Sequence, residues 1–416
     1  MHRLTNKQIA LRLLILMCGY YLVSTLSLMF NINPSGGAKG DLFETHLRTI
    51  AMYKAKDFVF AMRNQESAMG PLYYLIFSFF DLGTVWLKIT NLFFLLISSL
   101  AYVFILLKHV LRNLDFLSIS MLFGALSIAN PFVFGPALWA NPDTLALFLY
   151  SISLLCLVTR TDTKSVFLSG LFMSLSVLTR QMLFPYLIIH CLYILNEYGL
   201  FINTKISDFW KNKLFIYKLL LVSSPSIVAL AVMYCIWNGV VPTAYAIHSS
   251  LSFTPALISV ASIALLLIPS LFIRIYQEQD YRALAVCLMI SFFFDFFQLL
   301  SFPHLGGGIV EKVFRLSPIL FYSLLSMGFY FLYALFRQHI GYIPLIAILL
   351  FFSSFMVFGN IFYQKYIEPY FLILSITYII LFVHNPKIVR LNITYIFSLY
   401  SVLFVVALRF YQLNTG

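Results

Sequence analysis

The stretch LLILMCGYYLVSTLSLMFN (residues 13–31), followed at 32–50 by INPSGGAKGDLFETHLRTI, decides the class of this chain. The first part has no charged residue and is about as long as the ~20 apolar residues that cross a bilayer core. The second part is turn-rich and carries Asp41, Glu44 and His46. Apolar runs of the first kind recur along the chain. Read by their length, they give thirteen candidate helices, at 13–31, 86–107, 115–131, 142–158, 165–179, 182–195, 215–236, 256–273, 283–301, 317–336, 341–358, 368–384 and 391–409. Of 416 residues 61% are hydrophobic and only 10% charged, and the mean hydropathy is +0.92. A soluble domain carries about 25% charged residues, so a water-soluble globule and a disordered chain are both excluded. The expectation is an all-α polytopic membrane protein of about 11–13 transmembrane helices. It is read as a single domain over 1–416, with an outer loop at 32–85 and a helix bundle at 86–409. The five cysteines lie in or beside apolar runs without a C-x-x-C pair and read as core residues. The N-terminal MHRLTNKQIALR reads as the flank of a signal-anchor helix.

Orientation follows from Lys and Arg in short loops. With the N-terminus in the cytoplasm, sixteen of the 27 Lys and Arg fall inside, among them Arg3, Lys7, Arg12, Lys108, Arg112, Lys205, Lys211, Lys213 and Lys218. The formal charge of +12 is therefore a topology signal, and no nucleic-acid partner is implied. The remaining cations lie outside, where topology selection disfavours them. Five are in loop 32–69, and Arg180, Lys312, Arg315 and Lys365 sit at outer helix ends.

The first outer loop is the place to look for chemistry. Pro34, Gly36, Gly37 and Gly40 open it as turn residues. Asp41 then reads as a helix N-cap and Glu44 as the partner of a capping box. The spacing of Leu42, Leu47, Ile50, Met52 and Tyr53 predicts an amphipathic surface helix through about residue 62, with a second short helix from Pro71. Two carboxylates one turn apart can deprotonate and orient an attacking hydroxyl. On spacing alone, capping is the stronger reading. Asp143, after Asn141-Pro142, also reads as a cap, whereas Asp295 lies deep in an apolar run, where a carboxylate is costly. His304 with Gly306, Gly307 and Gly308 reads as an outer turn.

In the order and spacing of several short motifs the chain resembles the GT-C superfamily of polytopic glycosyltransferases that use polyprenyl-phosphate sugars. Those motifs are G-D-x-x-E-x-H (Gly40, Asp41, Glu44, His46), G-P-L-Y-Y from Gly70, N-P-D at Asn141–Asp143, R-Q (Arg180, Gln181), W-N-G (Trp237, Asn238, Gly239) with His248 beyond it, and K-Y-x-E-P (Lys365, Tyr366, Glu368, Pro369). The R-Q and W-N-G elements are similar to those of dolichyl-phosphate-glucose α-glucosyltransferases and bacterial relatives, O-antigen glucosyltransferases included. The spacing of Asp41 and Glu44 departs from the adjacent acids of the eukaryotic enzymes.

The resemblance implies a GT-C-like bundle that moves a hexose, with glucose the expected one, from a polyprenyl-phosphate donor to a hydroxyl of a glycan or lipid-linked glycan. Reaction would be by inversion at the extracytoplasmic face of a bacterial inner membrane. It implies Asp41 or Glu44 as base and Arg180, Lys312, Arg315 and Lys365 at the donor phosphate. His46, Gln181, Trp237, Asn238, His248 and Tyr366 would meet substrate, with no metal or other cofactor. The competing readings are a lipid-linked glycan flippase or transporter, which internal repeats and midplane charges would favour, and a glycan polymerase.

Overall fold

The computed structural model describes residues 6–34, 36–109, 114–199, 212–239, 241–242, 251–297, 309–337, 342–358, 368–382 and 385–413. Each of the thirteen apolar runs contains helix, and among the described residues there is no strand. Six helices are long and apolar enough to cross a membrane: Leu11–Met29, Thr84–Leu106, Lys213–Trp237, Phe253–Glu278, Pro318–Arg337 and Pro386–Arg409. A seventh span arises if Phe116–Leu126 and Pro131–Leu138, bent by 58°, are counted together. The chain is thus a multi-pass helical protein. The spans that qualify among the described residues are fewer than the expected 11–13, because several runs give short helices. Asp143–Thr159 and Thr163–Thr179 have 17 residues each, at the lower limit of a ~17–25-residue span. The run at 182–195 is divided into a 3-10 turn, Gln181–Tyr186, and a helix, Leu187–Glu197.

The bend at 127–130 has a local cause. Asn130 accepts a hydrogen bond from Phe132 N at 2.9 Å and Pro131 occupies the first helical turn. A capping side chain followed by proline starts a new helix axis. The stretch read from sequence as a turn between two spans therefore contains a helix of its own, Pro131–Leu138.

The chain forms two compact units. The first comprises 1–183, 225–245 and 376–416, and the second 184–224 and 246–375. In the first, serine hydroxyls let helix backbones approach: Ser153 donates to Ser169 O and Ser176 to Ala146 O, both at 2.7 Å. Tyr20 fastens the first helix by donating to Leu92 O at 2.7 Å, while Leu14, Ile15, Tyr21 and Leu22 remain exposed. Such a bare apolar surface is what lipid covers. At the opposite end from the first outer loop, Asp115 caps Ser118 N at 2.8 Å and lies 3.5 Å from Arg390. The bond to Ser118 holds its carboxyl below the usual range. In the second unit Phe253–Glu278 is the most buried of the six spans, packed on Pro318–Arg337 where Gly328 meets Val260. Arg337 closes that end with Asp280 at 2.6 Å.

Two glycines give a contrasting test. A Cβ on Gly328 would lie 2.5 Å from both Val260 Cγ1 and the Val260 carbonyl oxygen, whereas one on Gly124 would meet only the Phe397 ring, at 2.7 Å. Overpacking of this kind costs ~1–3 kcal/mol. Gly328→Ala should lower the unfolding temperature of the detergent-purified protein, and adding Val260→Ala should not restore it, because the backbone contact remains. Gly124→Ala should be rescued by Phe397→Leu. Full rescue of Gly328→Ala by Val260→Ala would contradict the close helix approach.

Candidate functional site

The acid-bearing loop begins as a helix earlier than its sequence suggests. Gly36–Gly40 is helical, Asp41–His46 continues as one π-helical turn, and Leu47–Ala55 returns to α geometry. Gly40, which precedes the turn, has helical dihedrals and makes no side-chain cap. The capping-box reading of Asp41 and Glu44 is therefore overturned: both acids sit inside a continuous helix, Asp41 half-buried and Glu44 exposed. Single π turns inside α-helices are frequent at functional sites. The surface helix also ends sooner than expected. Lys56 is extended, Asp57 caps Phe60 N at 2.9 Å, and a separate helix runs Phe58–Asn64. The third, Leu72–Ser78, follows Pro71 as the sequence suggests.

The buried face of this helix carries Leu42, His46, Thr49, Ile50 and Tyr53. His46 is 2% exposed, with Nδ1 2.9 Å from the Tyr74 hydroxyl. Tyr74 donates onward to Ser67 Oγ at 2.6 Å, so its oxygen accepts from His46 Nδ1–H. Tyr53 donates to Gln65 Oε1 at 2.9 Å, and Gln65 Nε2 donates to the carbonyls of Ser67 (2.9 Å) and Met69 (2.5 Å). Burial pushes the phenols of Tyr53, Tyr73 and Tyr74 above their ordinary value, so all three act as neutral donors.

The 65–71 turn is held from the far side by the R-Q element. Gln181 Nε2 donates to Ala68 O at 2.6 Å, Gly70 N donates to Thr179 O at 3.0 Å, and the Arg180 guanidinium reaches Met69 Sδ. Arg180 Nε also pairs with Asp143 Oδ1 at 2.8 Å, and Arg180 is only 3% exposed. Asp143 is accordingly not the cap that its sequence position suggests. Asn141 Oδ1 accepts from Asp143 N at 3.0 Å, leaving the carboxylate to the arginine. Tyr73 donates to Ala140 O at 2.6 Å, fixing a residue whose φ of 51° is unusual for alanine. Trp237 Nε1 donates to Met62 O at 2.7 Å, and Asn238, with φ 56°, ends that helix exposed.

One end of the first unit thus gathers five of the sequence elements: the Asp41–His46 turn, G-P-L-Y-Y, N-P-D, R-Q and W-N-G. Lys312 and Arg315 lie in the second unit, exposed on the amphipathic helix Ile309–Leu316. There too Glu368 is fully buried at the start of Glu368–Phe382. Lys365, Tyr366, His248, His304 and Gly306–Gly308 lie outside the described residues. Asp295 falls on helix Tyr281–Phe296. Among the described residues no three His, Cys, Asp or Glu side chains come together as a metal site.

Sequence reasoning did not single out Gln65, Ser67 or Trp139, and it saw Tyr73 and Tyr74 only as part of G-P-L-Y-Y. The turn at 65–69 carries no recognisable motif. No protein-family model, curated protein or solved structure matches this chain, so its function is read from its own residues.

Gly70 tests the clamp. A Cβ there would fall 2.0 Å from Leu178 O, a backbone atom that cannot swing aside. Gly70→Ala should destabilise by about 1–3 kcal/mol and speed proteolysis between residues 56 and 71. An unchanged melting temperature and cleavage pattern would contradict the clamp.

Proposed function

We propose that this chain is a GT-C-type hexosyltransferase working at the extracytoplasmic face of a bacterial inner membrane. The observation that carries this reading is the convergence of the five elements through hydrogen bonds and a buried ion pair, around a π-helical turn bearing two carboxylates inside a continuous helix. Catalytic groups are commonly held in this way, by rigid elements whose own rotamers are fixed by surrounding contacts.

In the proposed reaction Asp41, with Glu44 as helper or alternative, takes the proton from a hydroxyl of a glycan or lipid-linked glycan. The hydroxyl oxygen attacks the anomeric carbon as the bond to the donor phosphate oxygen breaks, and the electron pair leaves on the polyprenyl phosphate. Displacement from the opposite side inverts the anomeric centre, so a β-linked donor gives an α-linked product. Negative charge grows on the departing phosphate, and fixed cations stabilise it most in the transition state. Arg180, within this unit, is assigned to it as a fork, and Lys312, Arg315 and Lys365 remain the further cations that the resemblance implies. His46, Gln181, Trp237, Asn238, His248 and Tyr366 bind or position the sugar and the acceptor. Exposed Phe and Leu side chains along the spans suit a prenyl chain. The scheme uses no metal.

The test is transfer from polyprenyl-phosphate hexoses by the purified protein, followed as release of polyprenyl phosphate. Loss of a general base typically costs ~10²–10⁴-fold. Asp41→Asn or Glu44→Gln should therefore lower the rate at least about a hundredfold at unchanged melting temperature. Parent-like rates in both variants would remove the assigned chemistry.

A further inference from the structure

The first unit contains a second arrangement that the motifs do not describe. Lys39 and Lys88 both direct their ammonium groups at Trp139, with Nζ atoms 5.6 Å and 3.5 Å from the ring centroid. Lys39 lies two residues before Asp41, Lys88 is the fifth residue of helix Thr84–His109, and Trp139 ends the helix that precedes N-P-D. Phe43 joins them edge-on to the same indole, with ring centroids 6.4 Å apart. Neither lysine makes an ion pair among the described residues.

Two ammonium groups converging on one ring repel each other. The cation–π attraction returns only ~0.5–2 kcal/mol for each, so an anion between them would relieve the arrangement. A second observation points the same way. Trp139 is 2% exposed, yet its Nε1–H has no hydrogen-bond acceptor among the described residues, and neither do the Asn141 amide and the Thr144 hydroxyl a few residues on. Buried donors left without acceptors are uncommon in a finished interior, and one of these, the indole N–H, belongs to the ring that both ammonium groups face. Positive charges and buried donors together match an oxygen-rich anion. Lys88 belongs to a helix apolar enough to cross a membrane, so this anion would be carried on a lipid.

We infer that Lys39, Lys88 and Trp139 form a binding site for the phosphate of a lipid carrier, beside the Asp41–His46 turn. The choice of a polyprenyl carrier rests on the transfer reading, whereas the lysine–indole geometry does not. The two lysines would bracket the phosphate as point charges, and Asn141 and Thr144 would meet the oxygens of phosphate or sugar. The phosphate would then lie within the acid-bearing unit.

The test is equilibrium binding of a radiolabelled long-chain polyprenyl phosphate to the full-length protein in detergent, with unlabelled polyprenol and inorganic phosphate as competitors. Lys39→Gln/Lys88→Gln should weaken binding about tenfold or more, and Trp139→Phe should weaken it while preserving the ring. Lys39 is exposed, so Lys39→Gln alone supplies a folded variant should the double one unfold; it should also bind more weakly. Neither polyprenol nor inorganic phosphate at equal concentration should displace the lipid. Parent-like binding by the lysine variants would overturn the inference, and displacement by inorganic phosphate as effective as by the lipid would overturn its lipid assignment. The double variant Asp41→Asn/Glu44→Gln separates this inference from the transfer reading, since it should abolish transfer and retain binding. Normal transfer by that variant with binding lost in the lysine variants would sink the transfer reading and leave the phosphate site standing. Loss of transfer by that variant with parent-like binding in the lysine variants would do the reverse.

Discussion

The buried pair between Arg180 and Asp143 is the interaction on which the rest of the first unit depends. Both side chains are largely removed from water, and an isolated charge there would be prohibitively costly. Together they are tolerable because the arginine has further partners and the aspartate backbone is held by Asn141. Such a pair contributes little net stability against an apolar substitute, but breaking it by removing one partner is expensive. Its value lies in geometry. It joins the start of one helix to the end of the next, and through Arg180 and Gln181 it fixes the turn at 65–71, whose Ser67 accepts from Tyr74, the partner of His46.

That constraint explains why short helices are useful here. Asp143–Thr159 and Thr163–Thr179 bring N-P-D and R-Q to the same level as the surface helices of the first loop. The bend at 127–130 gives the chain a further helix at that level, ending in the Trp139–Asn141 turn. Polar groups that would be costly in hydrocarbon are thereby collected at one end, where they satisfy one another. The π turn is the one local irregularity in the loop helix, and it falls on the segment bearing both acids.

Much of this was legible in the sequence, for identifiable reasons. Helices were readable because apolar runs must be long in lipid, and the limits of Pro318–Arg337 match the run at 317–336 to within a residue, whereas Phe253–Glu278 extends beyond the run at 256–273 at both ends. The number of spans was not, because a run of 17 apolar residues looks the same whether it crosses a bilayer or stops short of it. Asp41 and Glu44 were legible as notable acids, but their spacing fits a capping box and a π turn equally well. Only backbone dihedrals distinguish the two. Asp143 was misread for a related reason: N-P-D resembles a cap from sequence, and its true partner lies 37 positions away at Arg180. Trp139 with Lys39 and Lys88 joins three segments that no spacing rule connects.

The most direct measurement on this account is amide hydrogen exchange of the full-length protein in detergent, comparing the parent with Arg180→Gln. If the buried pair holds the acid-bearing loop in place, exchange across residues 65–71 should accelerate about tenfold or more, while the helix Thr84–His109 keeps its protection. Unchanged protection at 65–71 would mean that the loop is held by something else, and the convergence from which sugar transfer is inferred would lose its cause.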